Sequence, residues 1–327
     1  MTPRPAAEKP AEHVQETEVS PDLSGQRFDQ ALAQLFPEYS RSRLSQWVKD
    51  GRVLLDGRAA RPRDAVMGGQ KVRLRVPEEP LSDMAPEALP LEIVYEDEAL
   101  IVVNKPAGLV VHPGAGNHSG TLQNALLHHA PELAQVPRAG LVHRIDKDTS
   151  GLLVVARTLE AHTTLVAALQ AREFERGYLA VTLGVMTGGG TVDAPIKRHP
   201  TDRVRMSVRE GGREAVTHYR VLKRFRAHTY ISIELETGRT HQIRVHLAHI
   251  KYPLVGDQVY GRRLGPPRNA SPRLQETLRA FHRQALHAAK LGLTHPMTGE
   301  ALHWEVPPPA DFQELLAALE DDLAHAR

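Results

Sequence analysis

The chain has no cysteine, which excludes disulfides, thiolate nucleophiles, iron–sulfur clusters and cysteine-based zinc sites. No apolar run approaches the ~20 residues needed to span a membrane. The first twenty residues carry Pro, Glu and Thr in place of the apolar stretch of a secretory leader, so a cytoplasmic protein is expected. Glycine-rich nucleotide-binding motifs and the His-Glu-x-x-His zinc pattern are both missing, and no cofactor or metal is expected. Net charge is also small, +2, but it is unevenly spread. Residues 27–76 hold eleven Lys/Arg against five Asp/Glu, whereas residues 77–140 hold two against nine. A compact basic module beside an acidic stretch is the footprint of a domain that meets phosphate.

What is present is 327 residues with 41% apolar content, enough for a sizeable core and long for a single domain. Residues 1–20 have no periodicity and read as a disordered tail. Residues 21–76 contain two short helical patterns, Phe28–Phe36 and Ser42–Lys49, the second entered through Ser40-Arg41. Strand patterns follow at 52–55 and 71–76, with Asp56-Gly57 as a turn between them. Two short helices alone would suit a DNA-binding helix-turn-helix equally well. With the basic hairpin added, the segment resembles the S4 RNA-binding domain, through Ser40-Arg41-Ser42-Arg43-Leu44 and Gly51-Arg52-Val53-Leu54-Leu55-Asp56-Gly57. Two positions depart from that pattern: Asp56 stands for the usual Asn, and Gly69-Gln70 for the usual Gly-Asp. The resemblance makes Arg41, Arg43 and Arg52 candidate RNA contacts.

Residues 77–90, with Pro77, Pro80, Pro86 and Pro90, read as a stiff linker. The segment 91–307 shows strand patterns at 91–95, 100–104, 151–157, 178–183, 215–222, 230–235, 285–293 and 301–305, and a helix at 161–171. Consecutive strands with few helices between them predict an α+β fold with a largely antiparallel mixed sheet. Residues 308–327 read as an amphipathic helix with no assigned place.

The most informative stretch is His143-Arg144-Ile145-Asp146-Lys147-Asp148-Thr149-Ser150-Gly151-Leu152, a charged loop feeding the apolar run 152–156. A carboxylate flanked by Arg144 and Lys147 is expected to stay ionised, as a nucleophile or base must. The string resembles the catalytic motif of the RNA pseudouridine synthases, in the family typified by the ribosomal large-subunit synthases A, C and D. The resemblance extends over roughly residues 20–306. The stretches 114–117 and 121–126 look closest to the D branch.

That resemblance implies a pseudouridine synthase fold and isomerisation of uridine, with base flipping and without a cofactor. It implies Asp146 as the catalytic aspartate, Arg144 filling the space of the flipped base, and Tyr178, in Arg176-Gly177-Tyr178, stacking on that base. Arg244, in His241-Gln242-Ile243-Arg244, would pair with Asp146, and the turn 237–238 is read as opening its helix. Arg198, Arg203 and Arg205 fall where the family grips RNA, and His143 and Arg239 are further candidate contacts. Residues 104–114 would support the site structurally. His241, His246 and His249 invite a metal reading, which is rejected for want of any recognised ligand pattern.

The implied partner is large-subunit ribosomal RNA, free or in a pre-ribosomal particle, acted on by a monomer. Attack at uracil C6 and at ribose C1′ stay open. Two other readings would be a non-catalytic RNA-binding assembly factor and a nucleoside hydrolase or lyase.

Overall fold

The computed structural model describes residues 12–37, 39, 41–77, 84–113, 119–202, 204–261 and 266–325. Contacts divide the chain into two units, residues 1–83 with 132–140, and residues 84–131 with 141–327. Ser40, residues 78–83 and residues 114–118, which include the whole stretch 114–117, lie outside the described residues.

The first unit runs β1 (Glu12–Glu18), α1 (Phe28–Leu35), α2 (Arg41–Lys49), β2 (Val53–Leu55), β3 (Arg58–Ala59) and β4 (Lys71–Pro77). Its antiparallel sheet has the order β1-β4-β2-β3. Phe28 and Leu32 of α1, Leu44, Trp47 and Val48 of α2, and Val53, Val72 and Leu74 of the sheet form one buried core. The helical spacing of these apolar residues is what makes the two helices legible.

Strand β1 corrects the expectation of a disordered 1–20 tail for residues 12–18, while residues 1–11 lie outside the described residues. Its sequence, Glu-His-Val-Gln-Glu-Thr-Glu, has too little apolar content to announce a strand. It is ordered by pairing: Glu16 opposes Arg73 and Glu18 opposes Lys71 on β4, with Glu16 and Arg73 in an ion pair of 3.1 Å. Opposite charges across an antiparallel pair favour that register.

The β2–β3 turn at Asp56-Gly57 has positive φ at both residues, 50° and 74°, the requirement of a tight hairpin turn. The two departures from the S4 pattern meet here. Asp56 accepts hydrogen bonds from the Gln70 amide nitrogen and from the Lys71 backbone, each at 2.8 Å. Relative to that pattern a carboxylate and an amide have exchanged sides, and here the two side chains are hydrogen-bonded to each other.

The second unit contains β5 (Ile93–Glu96), β6 (Leu100–Lys105), α3 (Leu122–His129), β7 (Ser150–Ala156), α4 (Leu159–Gln170), β8 (Glu175–Leu183), β9 (Gly190–Asp193), β10 (Ile196–Arg198) and β11 (Met206–Val208). It continues with β12 (Val216–Arg224), β13 (His228–Leu235), α5 (Gln242–His249), α6 (Pro272–Ala280), β14 (Leu286–Thr294), β15 (Ala301–Glu305) and α7 (Ala310–His325). Nine strands form the sheet β5-β6-β7-β14-β8-β13-β12-β9, with β15 also on β14. Every described pairing in it is antiparallel except β14 with β7. The fold is the expected α+β type with a largely antiparallel mixed sheet.

Residues 84–90, the second half of the segment read as a stiff linker, are bonded to this unit. Glu87 N–H bonds the Asn124 carbonyl at 3.0 Å, and the Asn124 side chain donates to Ala85. Helix α7 likewise belongs here, with Phe312, Leu315, Ala318 and Leu319 buried against α6 and the sheet strand residue Val181. No helix among the described residues is long and apolar enough to cross a membrane.

Strand β7 is buried along its whole length. Burial of Leu152, Leu153, Val154 and Val155 stabilises it by about 1.5–3 kcal/mol per side chain relative to exposure. The strand therefore fixes the exit of the charged loop 143–149. Gly151 lies at φ +114°, and a Cβ there would come within 2.7 Å of backbone atoms of Ala288. Only glycine lets β14 approach this closely.

Candidate active site

The loop that carries Asp146 is tied down through its backbone. Thr149 N–H returns to the Asp146 carbonyl at 3.0 Å, and Gly108 N–H bonds that of Lys147 at 2.9 Å. Gln284 donates to the Thr149 hydroxyl, and the Ser150 hydroxyl sits 3.0 Å from His287. Lys105, at the end of β6, is almost fully buried. Its ammonium donates to the carbonyls of Pro106, Leu109 and Lys147 at 2.7–2.9 Å, joining the 104–114 segment to the Asp146 loop.

Burial pushes the Lys105 pKa down to about 7, against the pull of Asp148 and Asp146. Between that value and the ordinary 10.5, the folded chain binds fewer protons than the unfolded one, so stability rises with pH across the window. Urea melts should therefore show the wild type gaining stability relative to Lys105→Met as the pH is raised from 7 toward 10.5. A difference that stays flat across that range would refute the assignment.

Asp146 is partly shielded, with 18% of its side chain exposed. Arg244 Nη1 donates to its Oδ2 at 2.8 Å. The rest of the Arg244 fork is held by Asp257, Nε to Oδ2 at 2.7 Å and Nη2 to Oδ1 at 2.9 Å. Such two-point pairing fixes the plane of the guanidinium. Burial works to lower the Arg244 pKa, but Asp257 and Asp146 outweigh it and hold the group above its ordinary value. Asp257 goes the other way: burial raises its pKa, and Arg244 brings it below the usual carboxylate range. Its Oδ1 also accepts the backbone N–H groups of Val259 and Tyr260, an Asx turn that locks the carboxylate in place.

Tyr178 is buried on β8. Burial raises its pKa, Arg176 opposes that, and the charge of Asp146 adds to it. Arg144 is exposed on the same loop as Asp146 and within electrostatic reach of His241. The structure thus gathers Asp146, Arg144, Tyr178 and Arg244, and adds Asp257, Tyr260 and His241. His241 Nε2 lies 3.9 Å from Asp146 Oδ1.

The remaining predicted contacts divide. His143, expected as an RNA contact, also has partners within the fold. Its Nε2 accepts the Val154 backbone N–H at 3.1 Å, its ring meets Phe174 edge-on, and burial pushes its pKa down to about 3. A neutral ring already accepting at one nitrogen offers phosphate no charge.

The helix read as opening at the turn 237–238 begins at Gln242 as α5, and Arg239 lies in the stretch just before it with Nε bonded to the Glu214 carbonyl. The Gln242 side chain organises that turn, accepting from Thr237 and Arg239 N–H and donating to Val216 and Thr217. Arg198 is exposed at the end of β10, Arg205 stacks its guanidinium 5.5 Å from the Tyr260 ring centre, and Arg203 lies outside the described residues.

In the first unit, Arg41 bonds buried Asp29 at 2.7 Å together with Arg27, which ties α2 to α1. Arg43 lies over the Trp47 ring, and the Arg52 backbone joins Trp47 to Arg75. Of the three histidines considered for metal, His246 has both ring nitrogens engaged, by Thr217 and the Ala194 carbonyl. A cavity of about 630 Å³ is lined by Ala107, Gly108, Asp148, Phe281 and Arg283 among others. Asp146, Tyr178 and Arg244 are not among its lining residues.

The family model described as RNA pseudouridylate synthase matches residues 99–249, and that of the S4 domain matches residues 26–72. The chain is 59% identical over 305 residues to the ribosomal large subunit pseudouridine synthase D of Pseudomonas aeruginosa, covering 93% of this chain and 95% of that one. It is 55% identical over 314 residues to the protein of that name from Escherichia coli K12, covering 95% and 96%. Among solved structures, human RNA pseudouridylate synthase domain containing 4 is similar with a TM-score of 0.56 and 28% identity, over 70% of this chain and 93% of that one.

Proposed function

The chain belongs to the RNA pseudouridylate synthase family, and from that membership we propose that it isomerises specific uridines of large-subunit ribosomal RNA, with Asp146 as the reacting carboxylate. The observation that carries the assignment is the 2.8 Å pair of Arg244 with Asp146 beside the buried ring of Tyr178.

The reaction breaks the bond from ribose C1′ to uracil N1, turns the base while it stays bound, and joins C1′ to C5. The proton on C5 leaves and N1 gains one, so nothing is consumed. Asp146 supplies the nucleophilic oxygen, at uracil C6 or at ribose C1′. Both routes require a carboxylate presented in one orientation, and the Arg244–Asp257 fork provides it. A stacked uridine is hidden, so the base is flipped, at a cost of a few kcal/mol. Exposed Arg144 fills the gap in the RNA, and Tyr178 stacks on the flipped ring and relays the C5 proton. Arg198, Arg203 and Arg205 hold the backbone phosphates around the target. Arg239 adds to that set, and the S4 unit with Arg43 and Arg52 gives sequence-tolerant affinity for folded RNA. Asp146, Tyr178 and Arg244 all come from one chain, so a monomer suffices.

The test is pseudouridine mapping, by carbodiimide labelling and primer extension, on unmodified large-subunit RNA and on pre-ribosomal particles, with no metal or nucleotide added. New stops after incubation with the protein are expected. Free uracil with abasic sites would point to hydrolysis instead, and binding without stops on either substrate would leave an RNA-binding assembly factor.

A further inference from the structure

Tyr260 connects groups that the reaction scheme leaves separate. Its hydroxyl accepts the backbone N–H of Met206 at 2.8 Å and lies 2.8 Å from Nδ1 of His241. A phenol has one proton to donate. The oxygen can accept from Met206 while its own proton goes to Nδ1, and in that tautomer the imidazole carries its proton on Nε2. Burial lowers the His241 pKa, Asp146 and Asp257 opposing and Arg244 and Arg144 reinforcing, in keeping with this neutral form.

Nε2 faces Oδ1 of Asp146 at 3.9 Å, the oxygen that Arg244 leaves free by binding Oδ2. The backbone underlines the placement: His241 is held at φ +57° as the N-cap of α5, without a capping hydrogen bond. Residues in this region persist only where their surroundings enforce it, and they cluster at working sites. The Tyr260 ring also carries two guanidinium groups, Arg244 at 5.0 Å and Arg205 at 5.5 Å.

We propose that Tyr260 is a positioning residue for Asp146, setting its second oxygen through His241 and tying that setting, through Met206, to the arginine-bearing segment 198–206. The inference rests on the pseudouridine-forming reading above. Arg244 controls one carboxylate oxygen, and the other needs a partner if the nucleophile is to keep one orientation. A separation of 3.9 Å exceeds a hydrogen bond, but catalytic hydrogen bonds are often long in the free enzyme and tighten in the complex. Met206 opens β11, so a shift of the 198–206 segment on meeting RNA reaches the Tyr260 hydroxyl directly. Loop engagement and nucleophile alignment are thereby one event.

Tyr260 also packs with Ile196, Ala215 and Val245, so the test keeps the ring and removes the hydroxyl. Full-length Tyr260→Phe, His241→Asn and the double variant are assayed in single turnover on substrate RNA. Each single change should lower the maximal rate about 10- to 100-fold. Half-saturation by RNA should move by no more than about twofold, and the double variant should be no slower than the slower single, as expected for residues acting as a unit. ¹⁵N-histidine spectra of the wild type should show His241 as the Nε2–H tautomer, identified by the signal lost in His241→Asn, with that preference gone in Tyr260→Phe.

Wild-type rates in a folded Tyr260→Phe, multiplying losses in the double variant, or a change confined to half-saturation would each overturn the proposal. Should Tyr260→Phe fail to fold, a wild-type rate in His241→Asn would overturn it equally. An inactive wild type would instead count against the pseudouridine-forming reading itself.

Discussion

Asp146→Asn should form no measurable pseudouridine, a loss of at least about 10⁴-fold, the scale seen when a nucleophile is removed from an otherwise intact site. The substitution is close to isosteric, so nothing need move. The loop stays fixed by Lys105 at Lys147, Gly108 at Lys147 and Gln284 at Thr149, none of which uses the Asp146 side chain. Arg244 keeps its two bonds to Asp257, so no buried cation is stranded. RNA affinity should hold or tighten slightly, because a negative charge has been taken from a phosphate-facing surface. The measurement is single-turnover conversion with parallel filter binding and a thermal melt. A variant that binds, melts normally and still makes pseudouridine at more than a trace would remove Asp146 from the chemistry. Asp146→Glu should fail almost as badly, since an added methylene displaces the carboxylate by more than the site's alignment tolerates.

How much of this could be read beforehand depended on whether a residue's partner lies nearby in sequence. The Asp146 loop was legible because its charge, its turn residues and the apolar strand behind it are contiguous. The helices α1 and α2 showed themselves through apolar spacing, and β15 through its strand pattern at 301–305. Strand β1 did not, because its order comes from Glu16 and Glu18 meeting Arg73 and Lys71 on β4, some fifty residues on. Helix α6 was missed since it is short and mostly polar, with Leu274 its one fully buried residue.

The site divides along the same line. Arg244 was assigned from the family resemblance, whereas Asp257 and Tyr260 went unnoticed although they hold Arg244 in place. A signal was there in Gly256-Asp257-Gln258-Val259-Tyr260-Gly261, a carboxylate and a phenol framed by glycines. Gly256 has φ +73°, and a Cβ at Gly261 would strike the Asp257 carbonyl. Glycines placed to permit a tight turn around an acid mark a position where backbone is spent on orienting a side chain. His143 has an internal partner that its neighbours in sequence do not announce. Adjacent to Arg144 it read as an RNA contact, but the chain direction turns its ring inward to Val154.

Replacing Arg244 separates its two duties by the choice of residue. Arg244→Ala should destabilise the second unit by about 3–5 kcal/mol, because Asp257 is left as a buried charge without its cation. Asp257 is 5% exposed, and its two remaining partners are the backbone N–H groups of Val259 and Tyr260. The penalty follows from the sign of the pKa change. A carboxyl held below its ordinary value contributes stability above the unfolded pKa and loses it as pH falls. The gap between wild type and Arg244→Ala should therefore narrow on acidification, starting above the unfolded value of 3.8, where burial makes the unpaired carboxyl of the variant take up its proton, and continuing below it as the wild type loses its own contribution.

Arg244→Lys keeps a cation opposite Asp257 and should recover much of the stability. It cannot reproduce a planar fork that reaches Asp257 with two nitrogens and Asp146 with a third. Its maximal rate should stay about 10²- to 10³-fold down, the scale of removing one preorganised donor from an active site. Urea melts of the three proteins, with single-turnover rates on one RNA, give both quantities. Near-wild-type turnover in Arg244→Lys would mean that Asp146 needs only a neighbouring positive charge. A stable but equally slow enzyme would locate the requirement in the geometry of the guanidinium, where one arginine spans the carboxylate that reacts and the carboxylate that holds it still.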